Sequence, residues 1–375
     1  MALPTQPPEA ASSAPLALRD LLHEAVQQGA SDVHIRAGAV PLLRVSGDLW
    51  PFDIPPLTAE QAQDLVLAAM PGERDRATFL EDLEADFAVN EPGVGRFRAN
   101  AYWSRGGAAM VLRHVKESIP SFEDLGLPPT VHDLAGRTSG LILVCGPTGS
   151  GKTTTLAAMI SHINASRRCH ILTLEDPIEF LHNDQLATVS QRELHTDTLD
   201  FSRALRAALR QDPDVILVGE IRDVDTMRTA LQAAETGHLV LASLHAKSVV
   251  DAVNRVIDIF PMEEQRQARA TIAESLQGVL CQHLVSAASG TGRRMVLEVA
   301  VANPRVRDAI ADPEKTSQLE DIVADGEYYG MRTFEQDAVR LVLAGEITVQ
   351  EAEKVVPRAA DLHVALRRAG YRESS

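Results

Sequence analysis

The sequence is poor in cysteine, in aromatic residues and in positive charge, and it contains no long apolar run. Its 375 residues include three cysteines, Cys145, Cys169 and Cys281, and no Cys-x-x-Cys pair. Three thiols cannot complete a four-cysteine zinc site, and a disulfide framework is not expected. We therefore predict no zinc, and reduced cysteines in a cytoplasmic protein. No apolar run approaches the ~20 residues of a membrane span, so direct membrane insertion is not expected.

The charge balance argues against a protein that coats nucleic acid. The formal net charge is −16, whereas such a coat needs a basic footprint. No nucleic-acid partner is expected. Residues 1–15 are rich in Ala, Pro and Ser, and they have no positive charge ahead of an apolar core. They are predicted to form a disordered leader rather than a secretory signal.

Periodicity and turn residues predict an α/β protein whose chain, after the leader, has four parts. Residues 16–118 read as a small α+β domain. A linker is expected over 119–135, where Leu125 to Pro129 is loop-like and Val131 to Ala135 is a short helix. Residues 136–300 alternate strands with helices, which predicts a doubly wound parallel sheet. Residues 301–375 read as a helical C-terminal region, with clear helices at 334–343 and 348–355.

The individual elements follow from the same patterns. In the first domain we predict helices over 16–28 and over 58–70, the second opened by a capping box of Thr58 and Gln61. Its predicted strands are 32–36, 42–45, 87–89, 95–102 and 108–115. In the core the predicted strands are 140–145, 170–174, 214–219, 238–243 and 294–299, and the predicted helices are 153–163, 201–210 and 225–236.

A phosphate-binding loop is the strongest motif. Gly146-Pro147-Thr148-Gly149-Ser150-Gly151-Lys152-Thr153 follows a buried strand and opens a helix, as a P-loop requires. Its glycines let backbone N–H groups surround phosphate oxygens, and the helix N-terminus favours the same anion. Lys152 is expected to reach the β- and γ-phosphates, and the Thr153 hydroxyl to ligate Mg²⁺. Thr154 completes the predicted nucleotide-binding set. A chance match would not bring the flanking strand and helix.

Two further strands end in acids, at the edge where open α/β sheets bind ligands. Glu175 and Asp176 follow one strand, which we expect to neighbour the P-loop strand, and with Thr153 they are the predicted Mg²⁺ ligands, partly through water. The alternative is a solvated acidic loop, and Glu179 further along could be structural. Glu220 ends the buried strand 214–219, the form of a Walker B strand, with Gly219 permitting close backbone approach. We predict that Glu220 activates the attacking water.

One histidine stands at each end of the strand 238–243. His245, at the carboxyl end, is placed to contact the γ-phosphate, whereas His238 is the weaker candidate on strand geometry. A lone histidine is more often structural than functional, and that alternative stays open for both.

These four motifs, in this order, resemble the secretion-type hexameric ATPases, and within them the PilT-type ATPases that retract type IV pili in twitching motility. The similarity runs from about Leu18 to about Ala352. It includes Gly29-Ala30-Ser31-Asp32-Val33-His34, Arg96-Phe97-Arg98-Ala99-Asn100, Gln191-Arg192-Glu193 and Gly330-Met331-Arg332-Thr333. The resemblance implies a PAS-like N-terminal domain, a RecA-like ATPase core, and a ring-shaped homo-hexamer that binds ATP between the two domains of a subunit.

The resemblance also implies site residues and partners. Both His238 and His245 then join Glu220, Glu175 and Lys152 in the catalytic set. Arginines commonly complete such sites, although an ordinary surface ion pair is an equal alternative for each candidate. The candidates are Arg96, Arg98, Arg113, Arg206 and Arg210. The implied partner is an inner-membrane pilus platform protein, which places the chain in the cytoplasm, peripheral to the membrane.

Two features bear on the branch of the family. Pilus-extension and type II secretion ATPases typically carry a four-cysteine zinc element, and its absence favours retraction. Retraction ATPases usually carry an Ala-Ile-Arg-Asn-Leu-Ile-Arg-like stretch, but here Pro304 to Ala311 keeps Val306-Arg307 and then has Asp308-Ala309. An accessory or regulatory paralogue and an extension or secretion ATPase are therefore the alternatives. A nucleotide-dependent regulator without turnover is disfavoured by the complete acid and histidine set, and a nucleic-acid translocase by the net charge.

Overall fold

The computed structural model describes residues 17–45, 47–115 and 118–371. The leader predicted over residues 1–15 lies outside these ranges. The chain divides into two compact units between residues 117 and 118. In the described ranges, no helix has the length and apolar character needed to cross a membrane.

The first unit is an antiparallel sheet with helices, an α+β arrangement. Its helices are α1 (Leu18–Gln27), α2 (Ala59–Ala69) and α3 (Glu73–Asp82), and its strands are β1 (Asp32–Arg36), β2 (Leu42–Val45), β3 (Asp48–Pro51), β4 (Glu84–Glu91), β5 (Gly95–Ser104) and β6 (Gly107–Val115). The strand order is β3-β2-β1-β6-β5-β4. The predicted capping box of Thr58 and Gln61 opens α2 and is confirmed. Helix α3 and strand β3 were not predicted from the sequence.

Side chains of the first unit alternate between a buried and an exposed face, because successive residues of a strand point to opposite sides. Strand β4 shows this clearly, with Ala85, Phe87 and Val89 buried. They join a core that includes Phe79, which stacks on Trp103 with ring centroids 5.6 Å apart.

The second unit is built on a mixed seven-stranded sheet. Its strands are β7 (Gly140–Cys145), β8 (His170–Glu175), β9 (Thr188–Glu193), β10 (Val215–Val218), β11 (Leu239–Leu244), β12 (Leu276–Ser286) and β13 (Arg293–Val301). The order is β13-β12-β7-β11-β10-β8-β9. Six strands are parallel, but β13 pairs antiparallel with β12, which corrects the prediction of a purely parallel sheet.

Helices cover both faces of this sheet. They are α4 (Pro129–Ala135), α5 (Lys152–Ser166), α6 (Phe201–Ala208), α7 (Val224–Glu235), α8 (Val249–Asp258), α9 (Gln265–Ser275), α10 (Pro304–Ala311), α11 (Leu319–Ala324), α12 (Phe334–Leu343), α13 (Val349–Glu353) and α14 (Ala359–Arg368). Short 3₁₀ turns lie at Thr316–Gln318 and Glu327–Tyr329. Helices α4 and α5 pack on one face, and α6 to α9 with the C-terminal helices pack on the other.

The segment expected to be a linker, 119–135, is part of the second unit's core. Phe122, Leu127, Val131 and Leu134 are buried beside α5. Their apolar side chains therefore stabilise the sheet face that carries α5.

Candidate active site

The turn between β7 and α5 admits only glycine at its first position. Gly146 has a φ of 150°, and a Cβ there would lie 2.4 Å from Ser150 Oγ and 2.5 Å from the carbonyl oxygen of Gln282. Gly149 and Gly151 also have positive φ, 78° and 90°. Because glycine adopts this backbone conformation without strain, the chain can turn tightly around a small anion.

Helix α5 begins without a capping side chain, unlike the three helices that follow it in the chain. Helices α6, α7 and α8 open at Asp200, Asp223 and Ser248, whose side chains accept a backbone N–H. In the described structure α5 has Gly151 at that place, no side-chain cap and no acid in its first turn. The first N–H groups of α5 therefore remain available to a phosphate.

The loop also contains polar side-chain atoms suited to a ligand. Within the described residues, the buried hydroxyl of Ser150 has no hydrogen-bond partner. Lys152 Nζ lies inside the loop and donates to the carbonyl oxygens of Gly146 and Pro147, at 2.9 and 3.1 Å. Burial lowers the pKa of Lys152, and the charge of Glu220 opposes that effect. The Lys152 ammonium group therefore lies near the carboxylate of Glu220.

Four strands end at one edge of the sheet, and each brings one predicted motif there. In spatial order these are β7 with the P-loop, β11 with His245, β10 with Glu220 and β8 with Glu175. The histidine strand β11 is the immediate neighbour of the P-loop strand β7. The expectation that the Glu175 strand also neighbours it was wrong, because β11 and β10 lie between them.

Glu220 is held by two basic side chains. Its Oε1 lies 3.0 Å from His245 Nε2. Its Oε2 accepts from Arg222, with Nη2 at 2.6 Å and Nε at 2.8 Å. Arg222 also lies 3.7 Å from Asp176, so it joins two acidic strand ends. Arg222 was not among the predicted site residues, although its place two residues after the strand-end acid Glu220 was a usable signal.

Gly219 lets β10 approach β8 closely, as predicted. A Cβ at Gly219 would lie 3.1 Å from the carbonyl oxygen of Leu174 and 3.3 Å from Glu175 Cα. The Gly219 N–H donates to that same carbonyl at 2.7 Å, and Ser243 Oγ donates to the Gly219 carbonyl at 2.5 Å. The backbone that carries Glu220 is therefore fixed from both neighbouring strands.

Glu175 is a buried carboxyl in a polar cage. Its Oε1 accepts from Thr173 Oγ1 at 2.7 Å and from Gln191 Nε2 at 3.1 Å. Burial raises the pKa of Glu175, and the two hydrogen bonds oppose that shift. Gln191 also donates to the Phe180 carbonyl at 2.9 Å, which fixes the loop after β8. A nearby cation would favour the charged form of Glu175.

The oxygen ligands at this edge suit Mg²⁺, which prefers carboxylate, hydroxyl and water oxygens. Thr153 lies in the first turn of α5, and Glu175 and Asp176 lie at the end of β8. The chemistry of these residues therefore fits the predicted metal.

The structure places His238 at the opposite edge of the sheet. It precedes β11, and its Nδ1 lies 3.0 Å from the Ala233 carbonyl and 3.3 Å from Thr236 Oγ1. His245 follows the same strand. A strand of this length spans ~20 Å, so the two histidines are not brought together.

The candidate arginines fall in different places. In the first unit, Arg96 and Arg98 lie on β5, and Arg113 on β6 donates through Nε to Asp32 at 2.8 Å. In the second unit, Arg206 Nη1 donates to Ser202 Oγ at 2.5 Å, and Arg210 Nη1 donates to the Arg206 carbonyl at 3.1 Å. The last two lie on the exposed side of the α6 C-terminus.

The altered stretch at 304–311 keeps a structural arginine. Arg307 Nη1 donates to the carbonyl oxygens of Ala273 and Glu274, both at 2.5 Å, and its Nε donates to that of Ala302 at 3.0 Å. It thereby satisfies carbonyls at the C-terminus of α9. Asp308 points away and pairs with Lys315 at 2.8 Å.

A glycine loop between a buried strand and an uncapped helix, flanked by strand-end acids, defines a P-loop nucleotide-binding α/β protein. The chain belongs to the Type II/IV secretion system protein family, whose sequence profile matches residues 9–354. The resemblance to secretion ATPases drawn from the four motifs is thus confirmed.

Individual relatives show which members of this family the chain is similar to. The chain is 43% identical to the Type IV pilus retractation ATPase PilT of Pseudomonas aeruginosa, over 90% of this chain and 97% of that protein. It is 40% identical to the Type IV pilus ATPase PilU of the same organism, over 92% and 90%. Among solved structures, that of the pilus retraction motor PilT with bound ADP matches with a TM-score of 0.87 and 42% identity, over 93% and 99%.

Proposed function

We propose that this chain is an ATP-hydrolysing motor that powers retraction of type IV pili, the activity underlying twitching motility. The chain is an ATPase. The observation that carries this conclusion is Glu220, held between His245 and Arg222 at the sheet edge where the uncapped P-loop helix begins. The 43% identity to a PilT retraction ATPase supports the biological assignment.

Phosphate binding is the task of the loop and of the α5 N-terminus. The N–H groups of Lys152, Thr153 and Thr154 point to the phosphates, and the Lys152 ammonium balances the charge of the β- and γ-phosphates. Thr153, Glu175 and Asp176 would hold Mg²⁺, partly through water, and the ion when bound would neutralise charge on the phosphate oxygens.

Glu220 orients the attacking water and accepts its proton. Arg222 binds one carboxylate oxygen and His245 the other, so the carboxylate keeps a fixed orientation. His245, which follows the strand beside the P-loop strand, would contact the γ-phosphate region. Holding the base in one orientation lowers the entropic part of the barrier.

The finer assembly is also part of this proposal. The first unit serves as the PAS-like domain and the second as the RecA-like core of a homo-hexamer. The candidate charge stabilisers remain Arg96, Arg98, Arg113, Arg206 and Arg210. His238 precedes β11 at the opposite edge of the sheet, so any effect on catalysis would pass through that strand to His245. The ring works in the cytoplasm at the inner face of the membrane, against a pilus platform protein, and hydrolysis drives conformational change in the ring.

Gene deletion tests the biological role. We expect excess surface pili and lost twitching in the deletion strain, restored by the wild-type gene but not by Glu220→Gln. Loss of pili would instead indicate an extension ATPase.

An accessory pilus ATPase is the second candidate, because Pro304 to Ala311 departs from the usual retraction stretch at Asp308-Ala309. The chain is also 40% identical, over 92% of its length, to the Type IV pilus ATPase PilU. In that case deletion leaves pilus number unchanged, and a defect emerges only when a second retraction ATPase is impaired. Steady-state ATP turnover of the purified protein separates either motor from a regulator that binds nucleotide without hydrolysing it.

A further inference from the structure

Glu298 is a buried acid on β13 that the proposed chemistry does not use. It is 6% exposed, and among the described residues it has one hydrogen-bond partner, the N–H of Val249, which lies 2.7 Å from Oε2. Burial raises the pKa of Glu298 to about 7, the hydrogen bond from Val249 opposes this, and the charge of Glu320 adds to it. A glutamine would accept the same hydrogen bond without a buried charge, so the charge itself calls for an explanation.

Val249 is the first residue of α8, and the loop before it carries His245. The beginning of this loop contacts the catalytic acid through His245 Nε2 and Glu220 Oε1, 3.0 Å apart. The end of the loop is tied to α8, since Asp251 accepts from the Lys247 N–H at 2.7 Å and donates its own N–H to Ser248 Oγ at 3.2 Å. The bond from Val249 to Glu298 therefore anchors the loop and the first turn of α8 together.

Glu298 lies on β13, which is three strands away from β11, the strand that precedes His245. Glu298 pairs in register with Cys281, Cys281 with Cys145, and Cys145 with Leu244. At ~4.8 Å per strand this row spans ~14 Å of sheet. Leu244 immediately precedes His245 and Cys145 immediately precedes the P-loop, so one rigid row supports the anchor, the phosphate loop and the histidine.

We propose that Glu298 is a positioning residue for ATP hydrolysis, whose carboxylate holds the start of α8 and, through the loop from His245 to Ser248, sets the contact of His245 with Glu220. This inference rests on the proposed ATPase activity and adds a residue to it. The charged form binds the N–H more strongly than the neutral form does. The positioning is therefore strongest when Glu298 is ionised, above about pH 7, and it weakens as pH falls through that value.

Neighbouring charges tune this behaviour. Glu298 lines a cavity of about 1150 Å³ between α8, β12, β13 and the C-terminal helices. Burial lowers the pKa of His283 on β12, and burial with the Cys145 contact raises the pKa of Cys281 on the same strand, so both are neutral near pH 7. Asp251 on α8 faces Cys281. The other charged residues around the cavity are Lys247 in the loop, Glu320 and Asp321 on α11, Glu335 on α12, and Lys354, Arg358 and Asp361 further along.

The test compares pH profiles of kcat for wild type, Glu298→Gln and Glu320→Gln from pH 6 to 8.5. We expect the ratio of wild-type to Glu298→Gln kcat to rise several-fold across pH 7, with KM for ATP changed less than twofold, because the P-loop is untouched. Glu320→Gln removes a negative charge that raises the pKa of Glu298. The ratio of Glu320→Gln kcat to Glu298→Gln kcat should therefore rise by the same factor, but at a lower pH. Glu263→Gln, at an exposed surface position, is the matched control and should follow wild type.

A second measurement reports on the loop itself. Hydrogen exchange of the peptide covering residues 245–252 should be faster in Glu298→Gln than in wild type at pH 8, and equal at pH 6. A kcat ratio that is constant with pH, or unchanged exchange in this peptide, would overturn the inference while leaving the ATPase assignment intact. Absence of ATP hydrolysis in the wild type would instead overturn the proposed function.

Discussion

At the scale of single residues, the site depends on how each carboxyl is held. Glu220 contacts two basic groups, Glu175 two neutral donors, and Glu298 one backbone N–H. The two basic side chains fix the orientation of the Glu220 carboxyl, whereas burial raises the pKa of Glu175, and a nearby cation would favour its charged form. These different surroundings agree with the three roles proposed for Glu220, Glu175 and Glu298.

Replacing Glu220 by Gln should separate binding from hydrolysis. The amide keeps the size of the side chain but cannot accept the proton from water, so we expect kcat to fall by about 10²- to 10⁴-fold. Affinity for ATP should stay within a few-fold, measured by equilibrium binding of a fluorescent analogue. Glu263→Gln serves as the control, and normal turnover in Glu220→Gln would remove Glu220 from the mechanism.

Arg222 should matter through orientation rather than charge alone. Arg222→Ala removes the fork that holds Glu220 Oε2, and we expect kcat about tenfold lower, equivalent to about 1.4 kcal/mol. Arg222→Lys keeps the charge but not the two-pronged contact, so it should recover only part of the loss. Equal kcat for both variants and wild type in a steady-state assay would show that Arg222 plays no part.

Glu298→Gln should also change how stability depends on pH. The folded pKa of about 7 exceeds the ordinary value of 4.5, so the folded state binds more protons between these values. Wild-type stability therefore falls as pH rises from about 4.5 to 7, by on the order of 3 kcal/mol from this group. In thermal unfolding, the Tm of Glu298→Gln relative to that of wild type should increase from pH 5 to pH 8. A constant difference would contradict the raised pKa.

The sequence located those site residues that follow a buried strand, because strand ends in an α/β sheet share an edge. Lys152, Glu175, Glu220 and His245 were found in this way. Gln191 was not selected, because it acts through side-chain hydrogen bonds that cross from β9 to Glu175 at the end of β8 and to the loop after it. Such contacts depend on which strands are neighbours, which the linear pattern does not contain. Arg222 was not selected either, although its contact with Glu220 is only two residues away in the sequence.

At the scale of elements, the close approach of β10 to β8 at Gly219 fixes the backbone that carries Glu220. Gly219→Ala would place a Cβ 3.1 Å from the Leu174 carbonyl oxygen, so the strand ends must separate. We expect a loss of about 1–3 kcal/mol in stability and a lower kcat, because Glu220 moves with the backbone. Gly136→Ala is the matched control, since its nearest contact is 3.4 Å and its φ is not positive. Similar thermal stability and turnover for both variants would contradict the steric argument.

Element prediction succeeded where local pattern and local structure agree. The buried strands β7 and β11 and the helix α12 follow directly from their apolar runs and spacing. Strand β12 was missed although it lies at the side of the P-loop strand, and α8 and α9 were missed as well. Strand order is set by pairing between distant segments, so the position of β8 could not be read from the sequence.

At the scale of the whole molecule, the proposed function requires assembly. We expect the purified protein with nucleotide to have about six times its chain mass of 40.6 kDa, measured by light scattering after gel filtration. Ion pairs at the exposed surface weaken with salt, so the comparison should include low and high ionic strength. A monomer under all conditions, with full ATP turnover, would contradict the hexameric ring.

The distribution of the cysteines offers a practical route to watching this motor. Cys145 and Cys281 are fully buried neighbours under the P-loop, whereas Cys169 is partly exposed, just before β8 at the edge away from the phosphate loop. A maleimide dye should therefore attach at Cys169 without removal of native thiols. Burial raises the pKa of the Cys169 thiol, so coupling calls for mildly alkaline buffer. One fluorophore per chain would then report on motion of the proposed ring by single-molecule imaging.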